Sequence, residues 1–262
     1  GAARTVTGAQ YLIQVNGHQL LLECGLFQGH RQEFYERNGN FSFDPAQVDA
    51  VVLSHAHIDH SGLIPKLIKE GFHGKVICTK ATRELCEVML QDSGRIQEME
   101  AEWQNRKGKR AGKGEAVPLY TAEDAEKSLR CFQPVSYGEI VQLAEGMKAR
   151  FQDAGHILGS AIIEIWVQEG GEEKKLVFSG DLGNDDQPIV RDPSIVEEGD
   201  VLWLESTYGD RLHKSKEETI QELLKIVQEA VAHQAKVVIP AFAVERTQDI
   251  IYTLGQFIRR GA

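Results

Sequence analysis

The chain has 262 residues and a formal net charge of −10, with 42% hydrophobic and 26% charged residues. Such a length suits one large domain, or one domain and part of another, with a sizeable core. No apolar run approaches the roughly 20 residues that span a bilayer, and the acidic balance weighs against non-specific attraction to polyanions. Cys24, Cys78, Cys86 and Cys131 form no CxxC pair and lie in apolar contexts, which reads as reduced, buried thiols and a cytoplasmic location. The opening GAARTVTGAQ lacks signal-peptide grammar, and the closing TLGQFIRRGA follows a helical pattern with no strand after it, so both ends read as cut.

In chain order, Tyr11 to Val15 and Gln19 to Glu23 flank Asn16-Gly17, a two-residue hairpin signal. Asp49 to Ser54 is an apolar run ending in polar ligand types, the pattern of a strand buried on both faces with site residues at its carboxyl end. A short helix follows over Gly62 to Lys69, then a strand over Lys75 to Thr79 and a helix from Thr82 to about Gln97. The stretch from Gln104 to Gly114, basic and glycine-rich, reads as a loop: either a solvated insertion or a contact for substrate phosphate. Thr121-Ala-Glu-Asp124 fits a helix N-terminus.

Strands over Ile140 to Leu143, Lys148 to Asp153, Ala161 to Val167 and Lys175 to Ser179 imply a second, antiparallel-rich sheet. From Asp200 the pattern becomes strand (Val201 to Leu204), helix (Lys216 to about His233), strand (Lys236 to Ile239) and helix (Val244 to about Ile258). Such alternation implies parallel strands with crossover helices. The division expected is a core over residues 1–199, followed by a linker and the start of a second domain over 200–262.

The chemistry concentrates in His55-Ala56-His57-Ile58-Asp59-His60. Three imidazoles and a carboxylate directly after a buried strand would carry an unmet polar cost without a metal. Alternation puts His55 and His57 on one side of an extended segment, while Asp59 and His60 turn away into the next element. One motif thus feeds two adjacent metal positions. Its spacing differs from that of zinc fingers and of HExxH. Imidazole and carboxylate donors suit zinc, and two such cations can share a water whose pKa falls to about 7, which makes hydrolysis the natural outcome.

The motif resembles that of the metallo-β-lactamase superfamily, an αββα sandwich of the mixed α/β class. Leu22-Glu23-Cys24-Gly25, Gly155-His156-Ile157-Leu158-Gly159-Ser160 and Ser179-Gly180-Asp181 match it as well. The resemblance implies two divalent cations, zinc by type. His55, His57 and His156 would hold the first, Asp59 and His60 the second, with Asp181 bridging. The family usually has Asp where this chain has Glu23, which is read as a supporting carboxylate hydrogen-bonded to ligands or as an ordinary solvated one.

Leu204-Glu205-Ser206-Thr207-Tyr208-Gly209-Asp210 and the run from Val238 to Gln248, with the opening GAARTVTG, resemble the β-CASP branch, whose members process RNA or DNA. Closest in likeness are the prokaryotic RNA-cleaving enzymes and the endonuclease subunit of the eukaryotic pre-mRNA 3′-end machinery. By that resemblance Asp59 would orient the attacking hydroxide while binding metal, and Glu205 would orient the catalytic apparatus; Glu205 alternatively reads as a capping or loop carboxylate. Arg246, where a loop becomes a helix, reads as a contact for substrate phosphate or as a plain surface arginine.

The family's inserted domain also supplies two later histidines, and no histidine follows His233 here. The first zinc is therefore expected to bind tightly and the second weakly. What emerges is a zinc-dependent ribonuclease acting on single-stranded RNA, leaving 5′-phosphate and 3′-hydroxyl ends, with no membrane partner and a homodimer among the states the resemblance allows. Its rivals are a small-molecule hydrolase of thioesterase or lactonase type and a non-catalytic RNA-binding scaffold.

Overall fold

A computed structural model of the chain describes residues 2, 4–108 and 115–261. The first sheet has the order β1 (Tyr11–Val15), β2 (His18–Leu22), β3 (Ala50–Val52), β4 (Lys75–Thr79), β5 (Phe132–Val135). The first two strands form the hairpin, Val15 opposite His18, and Asn16 and Gly17 both take positive φ (51° and 82°), as a tight turn matched to strand twist demands. From β2 to β5 all pairs are parallel. The second sheet combines β6 (Ile140–Ala144), β7 (Met147–Asp153), β8 (Ala161–Glu169) and β9 (Glu172–Phe178) in antiparallel order, and β10 (Val201–Trp203) adds to β9 in parallel.

Strand alternation divides the core in two. Leu20, Leu22, Ala50, Val52 and Ile77 face Met147, Ala149, Phe151, Ile163 and Ile165 between the sheets. After helices α1 (Arg31–Asn38) and α2 (Ile58–Ser61), the other side of the first sheet is covered: Leu21, Val51, Val76 and Cys78 pack against Leu67 of α3 (Ile64–Lys69), Cys86 and Leu90 of α4 (Lys80–Gly108) and Ala125 of α5 (Ala122–Ser128). Burial on both faces is why these strands read as unbroken apolar runs. On the outer face of the second sheet, Glu164, 1% exposed, accepts from Arg150 (2.6 and 2.9 Å) and pairs with Lys175 (2.7 Å).

The catalytic-type side chains all leave the same end of the paired sheets. Ser54 to His60 follow β3, His156 lies between β7 and β8, Asp181 follows β9 and Glu205 follows β10. The Ala161 N–H donates to the Ser54 carbonyl (2.9 Å), tying the two sheets together beside the site.

Two expectations change. The helix expected to stop near Gln97 begins at Lys80 and continues to Gly108, so Gln104 to Gly108 are helical rather than loop; the rest of that basic segment, 109–114, lies outside the described residues. Helix formers such as Glu98, Met99, Glu100, Ala101 and Glu102 carry the helix forward until the glycines. Lys236 to Ile239 form no strand: the segment has no regular structure and no ladder partner among the described residues, with Val238 87% exposed. A strand pattern becomes a strand only when a neighbour satisfies its backbone. Beyond β10, α6 (Lys216–Ala232) starts at a Ser215/Glu218 capping box and buries none of its residues, and α7 (Arg246–Arg260) buries Phe257. No described helix is long and apolar enough to cross a membrane.

Candidate metal centre

After β3 the chain leaves the sheet extended, then turns into α2 (Ile58–Ser61), whose N-cap is His57. His55 is fully buried and His60 nearly so, while His57, Asp59, His156 and Asp181 are partly accessible. The segment is clamped by its neighbour: Cys24 N–H donates to the His60 carbonyl (2.8 Å), Leu26 N–H to Ile58 (2.9 Å) and Ala9 N–H to Asp59 (2.8 Å). Gly25 is required by this approach, because a Cβ there would lie 1.6 Å from the Asp59 carbonyl oxygen.

Three imidazole nitrogens converge. His57 Nδ1 is 3.1 Å from His55 Nε2 and 3.2 Å from His156 Nε2. Two imidazole nitrogens on one tetrahedral zinc, at about 2.0–2.1 Å each, stand ~3.3 Å apart. Asp181 Oδ2 completes this group at 3.8 Å from His55 Nε2 and 3.7 Å from His156 Nε2. The other oxygen, Oδ1, lies 3.3 Å from His60 Nε2, and Asp59 Oδ2 lies 3.6 Å from that same nitrogen. One carboxylate thus offers a separate oxygen to each of two donor clusters.

Burial, with the neighbouring imidazoles, pushes His57 down to about 4 and His55 well below the usual histidine range, so both are neutral at pH 7 with lone pairs free. Burial works against the Asp181 charge, but the hydrogen bond and charge of His60, with His156 and His57 behind it, hold its carboxyl below the usual range. His60 is the opposite case: burial disfavours its charge, yet the carboxylates of Asp181 and Glu23 raise it well above the usual value. Burial raises Asp59 and Glu23 instead. Neutral His55 and His57 facing each other beside the ionised Asp181 are a donor set that fits a cation.

Residues 4–127 match the metallo-beta-lactamase superfamily. Over 97% of its length the chain is 41% identical to a ribonuclease of Thermus thermophilus, of which it covers 53%. Residues 4–127 thus carry a metallo-β-lactamase domain. It is also 30% identical, over its whole length and 39% of the relative, to a transcription termination factor of Methanocaldococcus jannaschii. An RNase J-like protein of the same organism is 31% identical over 95% of this chain and 52% of its own. The chain therefore spans about half the length, or less, of these curated relatives, and they are consistent with the β-CASP RNA-processing branch. The superfamily binds divalent metal ions.

Glu23 follows β2 with φ of 63°, and its carboxylate is fully buried. Oε1 accepts from the Ser54 N–H (2.7 Å); Oε2 accepts from the Ser54 hydroxyl (3.0 Å) and from His60 Nδ1 (2.6 Å). Because the Ser54 hydroxyl donates to Glu23, it accepts from His55 Nδ1 (2.9 Å). One carboxylate so engages Nδ1 of both rings, directly for His60 and through Ser54 for His55, and turns each Nε2 to the cluster; neutral His55 offers a lone pair there, and His60 would do so once a cation displaced its proton. Ser54 escaped sequence reasoning; its position directly before His55 was the available signal.

Glu205 does not join the donor clusters. Its Oε1 accepts from the Leu182 N–H (2.8 Å), the residue after Asp181, and its own N–H donates to the Ser179 hydroxyl (3.0 Å), so it pins the Asp181 loop from both ends. The His156 loop is held similarly: Ser160 Oγ accepts from the His156 N–H (3.0 Å), while Thr79 and Thr82 hydroxyls donate to the Gly159 carbonyl (2.7 and 2.8 Å). Arg246 is exposed as the first residue of α7, behind Glu245 with φ 78° and ψ −79°.

Proposed function

We propose that this chain carries the metal-binding core of a ribonuclease that hydrolyses RNA phosphodiester bonds. The observation that carries the reading is the divided Asp181 carboxylate, one oxygen toward His55 and His156 and the other toward His60, in a chain 41% identical to a ribonuclease. His55, His57 and His156 would hold one divalent cation and Asp59 and His60 another, with Asp181 placed between the two sets. Zinc suits these donors. When bound, such cations would supply Lewis-acid activation of water and charge neutralisation at the phosphoryl group. Asp59 orients the attacking oxygen, Glu23 and Ser54 hold the ligand tautomers, and Glu205 holds the Asp181 loop.

Arg246 contacts a substrate phosphate, and single-stranded RNA is the substrate. The linker and first part of a β-CASP domain run over 200–262, with β10 at their start still paired to the core sheet. Cytoplasmic residence accords with the free thiols of Cys24, Cys78, Cys86 and Cys131. A homodimer is the assembly that the resemblance favours.

The test compares the protein with His57→Ala on 5′-labelled single-stranded RNA and a thioester panel, with and without chelator. RNA cleavage abolished by both the substitution and the chelator supports the reading. Thioester turnover without RNA cleavage overturns it in favour of a small-molecule hydrolase.

A further inference from the structure

Just beyond the donor cluster stands an aromatic ring that the metal chemistry does not use. Phe242 is 76% exposed, yet its ring centroid is 6.3 Å from that of His57 with the planes at 46°. A single exposed apolar side chain is ordinary on a protein surface, so what marks this one is its place beside the metal donors. Here the backbone holds it out: the Phe242 carbonyl accepts from the Thr247 hydroxyl (2.6 Å), and the next carbonyl, of Ala243, accepts from Gln248 Nε2 (2.8 Å). Val244 then packs into the core beside the site, so the segment is moored at both ends of a short arc. The Glu245 backbone, at φ 78° and ψ −79°, lies in a region that costs about 1–3 kcal/mol and persists only where its surroundings demand it. The outcome is an aromatic face beside the donor cluster on a hydrogen-bonded backbone turn, with Arg246 four residues along.

We propose that Phe242 is the stacking platform for a nucleobase adjacent to the scissile phosphate; this deepens the ribonuclease reading and rests on it. A phosphate at the donor cluster and a base on this ring are separated by a span that one or two nucleotides cover, at a rise of ~3.4 Å each. Every base has a π-face, so such a platform grips single-stranded RNA without choosing sequence, and a paired duplex cannot offer its bases to it. The platform therefore selects unpaired RNA and sets which phosphate reaches the metals.

The test titrates metal-stripped protein, which cannot turn over substrate, with a single-stranded oligoribonucleotide carrying 2-aminopurine, and measures KM and kcat on the metal-loaded form. Phe242→Leu keeps apolar bulk but loses the π-face; Phe242→Trp keeps it. Quenching of 2-aminopurine on binding to the protein and to Phe242→Trp, weakened roughly tenfold or more in Phe242→Leu with KM rising more than kcat falls, is the expected result. Equal affinity and equal quenching in Phe242→Leu, while the protein still cleaves RNA, overturns the platform alone. A protein that neither binds nor cleaves RNA overturns the ribonuclease reading and the platform with it.

Discussion

Glu23→Gln is the most informative single substitution, because it changes one charge and no volume inside a fully buried network. Oε1 serves the Ser54 N–H, and Oε2 serves two donors, the Ser54 hydroxyl and His60 Nδ1. An amide that keeps its oxygen toward the Ser54 N–H turns its NH₂ on the other two. His60 Nδ1 must then accept, which moves the proton to Nε2, the nitrogen facing Asp59 and Asp181, and removes its lone pair from the cluster. A charge-assisted hydrogen bond of this kind contributes about 1.5–3 kcal/mol, and loss of such a partner lowers metal affinity by roughly 10- to 100-fold. The effect should fall on the site built from Asp59 and His60. The site of His55, His57 and His156 should lose less, since the Ser54 hydroxyl can still accept from His55 Nδ1. Stepwise competition against a chromophoric chelator reads both affinities separately. Unchanged affinity at both sites, or a larger loss at the three-histidine site, refutes the argument.

Two further outcomes follow from neighbouring features. Glu205→Ala frees the Leu182 N–H and the end of the Asp181 loop, so RNA cleavage should fall at least tenfold while the three-histidine site still retains metal, as elemental analysis would report; full activity would remove Glu205 from the mechanism. Glu164 has a carboxyl held below its usual range: burial alone raises it, but its bonds to Arg150 and Lys175 outweigh that. Its contribution to stability is therefore present above the unfolded value of about 4.3 and disappears as the pH falls through the depressed folded value. Glu164→Gln should cost about 2 kcal/mol at pH 7 and flatten the acid limb of the thermal unfolding profile, whereas an unaltered acid limb would contradict the assignment.

Much of the site was legible because it is local. His55, His57, Asp59 and His60 fall within six positions after a strand whose apolar run announces burial on both faces, and Asn16-Gly17 fixed the first hairpin unaided. What stayed hidden depends on distant partners. Glu205 acts on Leu182, across two strands of the second sheet, and nothing near Glu205 in the chain names that partner. Ser54 was passed over because a serine before a histidine is unremarkable until its hydroxyl is seen between His55 and Glu23. Val237 to Ile239 have the composition of a strand, but hydrogen-bonded pairing is a property of two segments, and no described segment pairs with them. Whether Glu23 was a supporting or a solvated carboxylate was open from the sequence, and its full burial with both oxygens engaged, by Ser54 and by His60, decides for the first.

The chemistry of the cut ends tests the central claim most directly. Metal-assisted attack by water on an RNA phosphodiester leaves a 5′-phosphate and a 3′-hydroxyl, whereas attack by the neighbouring 2′-hydroxyl leaves a 2′,3′-cyclic phosphate. Single-stranded RNA cleaved by the metal-loaded protein, with the products resolved by mass spectrometry, should carry 5′-phosphate and 3′-hydroxyl ends that vanish with Asp181→Asn. Cyclic phosphate ends, or cleavage that survives Asp181→Asn, would contradict hydrolysis at a centre bridged by Asp181.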